Sequence, residues 1–132
     1  MCGITGIFDI DPSAPPVDAG ELTVLRDAMI ARGPDGAGQW IHPLGRVGLA
    51  HRRLAIIDLN PSGAQPMASS DGRLVISFNG EIYNYRELRA ELTAQGAVFT
   101  SNSDTEVLLH LYAQDGMKML SRLKGMFAFA LW

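Results

Sequence analysis

The sequence is poor in cysteine: it has one, Cys2. A single thiol cannot close an internal disulfide, so a stapled secreted scaffold is excluded and a reducing, cytoplasmic setting is expected. It also lacks any apolar run near the roughly 20 residues of a membrane helix, so no membrane partner is expected. Residues 1–15 have no basic flank and already carry Asp9 and Asp11, unlike a secretory leader. There is no basic excess. Eleven Lys and Arg against 14 Asp and Glu give −3, which argues against a nucleic-acid partner. No Walker sequence and no G-x-G-x-x-G occurs, so no nucleotide motif is present. His42, His51 and His110 match no metal-ligand spacing, and no metal site is expected.

What is there fits one globular domain of 132 residues, 47% hydrophobic and 19% charged. Gly3–Asp9 reads as a β-branched strand interrupted by two glycines. Leu22, Leu25 and Met29 recur at helical spacing and predict a helix stopped by Gly33-Pro34. Strands are expected at Gln39–Ile41, Val47–Ala50, Leu54–Ile57 and Leu74–Phe78, with turn chemistry at Asn60–Gly63 and a loop over Asp11–Pro16. Asn84 with Glu87, and Ser103 with Glu106, have capping-box spacing and open two helices ending near Gly96 and Gly116. A short helical piece, Met119–Lys124, precedes an apolar strand at Met126–Trp132. Strand runs beside helix runs give an α+β class. An apolar edge at the very end invites pairing, so the chain is expected to be the N-terminal piece of a longer protein, incomplete at its C-terminus.

Several residues could carry chemistry. Cys2 follows the initiator Met, so losing one residue would expose a thiol and a free α-amine together. An α-amine, with an ordinary pKa of about 7.7–8.0, is partly neutral near pH 7 and can act as the base for its own side chain. The plainer reading is a small buried apolar residue. Asn79-Gly80 after a strand is ordinarily a hairpin turn. A side-chain amide beside a glycine N–H also supplies two donors for one oxyanion. Arg53 could grip a carboxylate bidentately or simply sit at a strand end, and adjacent Arg52 offers the same choice. Asp104 could pair with a substrate ammonium or merely favour a helix N-terminus. Arg32–Gly36 is a turn cluster that could pack over the chain start.

Taken in order, Met1–Asp9, Arg32–Asp35, Arg53–Asp58, Gln65–Met67, Asn79–Asn84, Ser103–Glu106 and Gly125–Leu131 resemble the class II glutamine amidotransferase domain of glutamine-hydrolysing asparagine synthetases, across essentially all of residues 1–132. The resemblance implies an N-terminal nucleophile hydrolase fold, a four-layer αββα sandwich with antiparallel sheets. It implies that processed Cys2 attacks the side-chain amide of L-glutamine, with Asn79 and Gly80 as the oxyanion hole. It implies that Arg53, helped by backbone at Ile56 and Ile57, holds the α-carboxylate, while Asp104 and Glu81 hold the α-ammonium. No cofactor is implied for this domain; ATP and Mg would serve only an absent synthetase half, carried in the same longer chain or as a partner. A non-catalytic glutamine-binding or subunit-interaction module on the same fold is the alternative.

Overall fold

The computed structural model describes residues 1–11 and 13–132; the loop expected over Asp11–Pro16 includes Pro12, which lies outside the described residues. The order is β1 (Gly3–Phe8), α1 (Ala19–Asp27), β2 (Gly36–Ile41), β3 (Val47–Arg53), β4 (Met67–Ala68), β5 (Val75–Ile82), α2 (Tyr85–Ala94), α3 (Asp104–Asp115) and β6 (Gly125–Leu131), with 3₁₀ turns at Pro61–Gly63 and Gly116–Arg122. The strands form two antiparallel sheets, β1-β3-β2 and β4-β5-β6. Helix α1 packs on the first sheet, α3 packs on β4 and β5 of the second with α2 against it, and the sheets meet through β1, β3 and β5. The layers are therefore αββα, as the resemblance implies. No helix among the described residues is long and apolar enough to cross a membrane.

Each element has a local cause. Asp18 caps α1 by accepting the Glu21 N–H at 2.7 Å. The helix stops at Asp27, short of the expected Gly33, and only turns continue beyond it. Met29, expected on its apolar face, packs over Gly3, where a Cβ would lie 2.9 Å from Met29 Cβ. Strand β3 is buried on both faces because α1 covers one side and the second sheet the other. The larger core lies between the second sheet and its helices and includes Ile76, Phe78, Ile82, Leu88, Leu108 and Leu111. A smaller core of Val47, Leu49 and Val75 sits between the sheets. At roughly 1.5–3 kcal/mol per fully buried large aliphatic or aromatic side chain, these residues carry much of the fold's stability.

Three further expectations are corrected. Leu54–Ile57 is not a strand. The Ala55 N–H bonds to the Asp35 carboxylate (2.9 Å) and the Leu54 N–H to Cys2 Sγ (3.3 Å), so side chains replace a ladder partner and the chain bends away. Strand β5 does not end at Phe78 in a hairpin; it runs through Asn79-Gly80-Glu81 to Ile82, paired with β6 throughout. Neither capping box forms. Asn84 accepts the Lys124 N–H and donates to Arg122 O, both at 2.9 Å. Ser103 does cap α3, through the Thr105 N–H at 3.2 Å, but Glu106 turns to the amides and hydroxyls of Thr100 and Ser101.

Candidate active site

The sheet edge explains why the site is where it is. Val75 and Trp132 exchange both backbone hydrogen bonds, at 2.8 and 2.9 Å. Antiparallel pairs alternate between bonded and non-bonded. The amides of Ile76, Phe78, Gly80 and Ile82 therefore point away from β6, toward the open edge of β5. Ile76 faces Met67 on β4, a strand only two residues long. Beyond it, side chains substitute for a strand. The Phe78 N–H donates to Gln65 Oε1 at 2.6 Å, His51 Nε2 bonds to Phe78 O at 3.0 Å, and the Ile82 N–H donates to Asp104 Oδ2 at 3.0 Å. Gly80 is the member of this row with no partner among the described residues. Its N–H faces a cavity of about 180 Å³.

Cys2 and Met1 line that cavity at the end of β1. The Cys2 thiol sits on Leu54, accepting its N–H at 3.3 Å and directed at its carbonyl at 3.6 Å. The turn after α1 packs over the chain start. Arg32 Nε donates to Cys2 O at 3.1 Å, and Arg52 Nε holds Gly33 O at 3.0 Å. A Cβ on Gly33 would collide with the Arg52 backbone, so glycine is required there by close approach.

Asn79 and Gly80 line the same cavity. Asn79 Oδ1 is buried without a hydrogen-bond partner among the described residues. An unpartnered buried acceptor is costly in a folded protein, and the residue that carries it directly precedes Gly80. A side chain on Gly80 would strike the β6 backbone at Met126 O and Phe127 Cα. An unbroken strand thus sets Asn79 and Gly80 in succession along the cavity, with no turn between them; the Asn79 amide acts as a second donor only through its Nδ2, not through the unpartnered Oδ1.

Arg53, Ile56 and Ile57 form another wall, and Glu81 and Asp104 a third. Strand alternation decides between the neighbouring arginines. Arg53 faces the cavity, whereas Arg52 turns to Gly33 and Asp27. The Arg53 guanidinium is held by Asn60 O at 3.0 Å and by Asp58 O. Asp104 is 4% exposed. Burial raises its pKa above the ordinary carboxylate value, partly opposed by backbone N–H groups of Ile82, Asp104 and Thr105. A buried carboxylate facing a cavity is a ready partner for a cation. All eight residues singled out from the sequence, Cys2, Arg53, Ile56, Ile57, Asn79, Gly80, Glu81 and Asp104, line this one cavity.

Other residues at the site escaped the sequence reading. Gln65 Nε2 also donates to Thr105 Oγ1 at 3.2 Å, so one side chain ties β5 to the start of α3. His51 is fully buried between the sheets, and burial lowers its pKa to about 4. With Nε2 bonded to a carbonyl, the ring is neutral and protonated there, leaving Nδ1 without a partner among the described residues. The block Gln65-Pro66-Met67 was a signal for the first; nothing local marks the second.

Among the described residues no group of three His, Cys, Asp or Glu is placed to hold a metal ion. A thiol, a backbone N–H beside a side-chain amide, a guanidinium and a buried carboxylate in one cavity suit acyl transfer from an α-amino acid amide.

Comparison with known proteins agrees. The family model described as "Glutamine amidotransferase domain" matches residues 1–132, and the chain belongs to that family. It is 47% identical over its whole length to a glutamine-hydrolysing asparagine synthetase of Bacillus subtilis, covering 21% of that protein. It is 44% identical to asparagine synthetase B of Escherichia coli, covering 23% of it, and 42% identical to amidase chry2 of Gibberella zeae, covering 21% of it. In each case all of this chain is covered, so it spans about a fifth of the length of these relatives. Among solved structures, the glutamine phosphoribosylpyrophosphate amidotransferase of B. subtilis superposes with a TM-score of 0.79 over 98% of this chain and 34% of that one, at 24% identity. That likeness establishes that the two share a fold.

Proposed function

We propose that this chain hydrolyses the side-chain amide of L-glutamine to glutamate and ammonia, and that the ammonia feeds an ATP-dependent synthetase half that makes asparagine. The observation that carries the reading is the single cavity lined by the Cys2 thiol, the Asn79 side chain and Gly80, whose N–H has no partner among the described residues.

Removal of Met1 frees the Cys2 α-amine. The sulfur attacks the amide carbon, and the thiol proton passes to the α-amine. The resulting oxyanion is held by the Gly80 N–H and the Asn79 side-chain N–H, donors worth about 10²–10³ in rate each. The C–N bond breaks as the α-amine hands its proton to departing ammonia. Water then attacks the thioester, releasing glutamate and restoring the thiol. Arg53 holds the substrate α-carboxylate beside the backbone of Ile56 and Ile57, and Asp104 with Glu81 holds the α-ammonium. These steps use thiol, amine and water, and draw on no cofactor in this domain. ATP and Mg would act in the synthetase half, whether in the same chain or a partner, in the cytoplasm.

The test is ammonia release from glutamine by the full-length protein. Turnover that vanishes in Cys2→Ala supports the reading. Glutamine binding with no turnover in the processed wild type would instead identify a binding module.

A further inference from the structure

Asp58 lines the same cavity and ties together two loops on which Arg53 and Asp104 depend. Its side chain is 4% exposed. Oδ1 accepts the Asn60 N–H and the Asn60 side-chain amide, both at 3.0 Å. Oδ2 accepts the Ser62 hydroxyl at 3.3 Å and the Asn102 N–H at 2.9 Å, from a residue 44 positions away. These donors, the Asn60 N–H foremost, hold its pKa below the usual carboxylate value, so it stays ionised.

The two loops hold two different residues of the cavity, Arg53 and Asp104. The Asp58–Gly63 turn supplies the carbonyls of Asp58 and Asn60 that fix the Arg53 guanidinium. That turn lies tight against Arg53, because a Cβ on Gly63 would meet Arg53 Nη2 on one side and Asp58 Cβ on the other. Asn102 immediately precedes Ser103, the N-cap of α3, and Asp104, the first residue of that helix. One ionised carboxylate is therefore bonded both to the turn that fixes the arginine and to the residue two before the aspartate.

We propose that Asp58 is a positioning residue for substrate selection: it sets the spacing between Arg53 and Asp104, and so requires that a ligand carry an α-carboxylate and an α-ammonium together. This rests on the reading of the cavity as a glutamine site. Charge-assisted hydrogen bonds are about twice as strong as neutral ones. Asp58→Asn keeps the volume but turns one acceptor oxygen into a donor facing other donors. The spacing then loosens while the Cys2 thiol and its Leu54 and Arg32 contacts are untouched.

The experiment compares wild type and Asp58→Asn in the full chain with two thiol reagents and with glutamine turnover. Iodoacetamide needs no α-amino acid site, whereas a diazoketone analogue of glutamine needs both ends of it. The expected result is a KM for glutamine raised about tenfold or more with kcat within about threefold, the signature of lost uniform binding. Labelling by the diazoketone should slow by a similar factor, with iodoacetamide labelling unchanged. Asn60→Ala, which removes one donor to the same carboxylate, should shift KM in the same direction by less, and decides the matter if Asp58→Asn does not fold. Equal slowing of both reagents, or an unchanged KM in the variants, overturns the proposal. Failure of the wild type to turn over glutamine overturns the underlying reading instead.

Discussion

Gln65 Oε1 accepts the Phe78 N–H at 2.6 Å, on a stretch of β5 edge that β4 is too short to reach. The side chain stands in for a missing strand, two residues before the free N–H of Gly80. Removing it by Gln65→Ala leaves a buried amide unsatisfied, a cost of about 1–3 kcal/mol. The expected outcome is a lower Tm and a kcat that falls more than KM rises. Gln65→Glu keeps the acceptor and should restore most of kcat. Steady-state ammonia release with thermal unfolding checks both.

On the proposed reaction, Asn79→Ala removes one of the two oxyanion donors and leaves the residues proposed to hold the amino acid. Its kcat should fall by about 10²–10³ with KM little changed. Single-turnover kinetics with glutamine separates this from a binding defect.

Asp104 is expected to trade stability for recognition. Its pKa is raised by burial, so the fold favours the protonated form. That preference adds stability below the unfolded carboxylate value, and the stability is lost as pH rises through the raised value. Asp104→Asn should therefore be at least as stable as wild type at pH 7 while its KM for glutamine rises steeply. In the wild type, KM should climb on acidification at a higher pH than an ordinary aspartate would give. Denaturant melts and a pH profile of KM measure the two effects.

His51 gives the opposite sign of pH dependence. Burial lowers its pKa from 6.5 to about 4, so the unfolded chain binds the proton first as pH falls. Stability is intact above pH 6.5 and declines between 6.5 and 4, by on the order of 3 kcal/mol in total. His51→Gln can still donate to Phe78 O but has no proton to take up. Its stability should be flatter across that window in urea melts at stepped pH.

Much of this molecule is legible in its order of residues. The β-branched and apolar runs at Gly3–Phe8 and Gly125–Leu131 became strands, and Ser103 became a helix cap. Where local chemistry misled, a longer-range contact had overruled it. Asn79-Gly80 has the preference of a hairpin turn, yet pairing with β6 carries the strand through it to Ile82. Leu54–Ile57 has strand-like residues, but the Asp35 carboxylate and the Cys2 sulfur hold its amides. The candidate residues facing the cavity carried motif signals and converge. Of those that hold them, Asp58 and Gln65 fall inside motif blocks and His51 does not, but what they bond to is not legible, because Asp58 to Asn102, His51 to Phe78 and Gln65 to Phe78 are bonds across 44, 27 and 13 residues, from side chain to backbone. Spacing along the chain carries no trace of them.

The account depends most on Cys2 acting with its own α-amine. Met1 lines the cavity, and while it is attached that amine is locked in a peptide bond. The direct measurement is ammonia release from glutamine by two preparations of the full-length protein, one with Met1 retained and one with it removed, each verified by intact mass. The account predicts turnover in the Met1-free protein and none above background in the other. Equal turnover in both would contradict it.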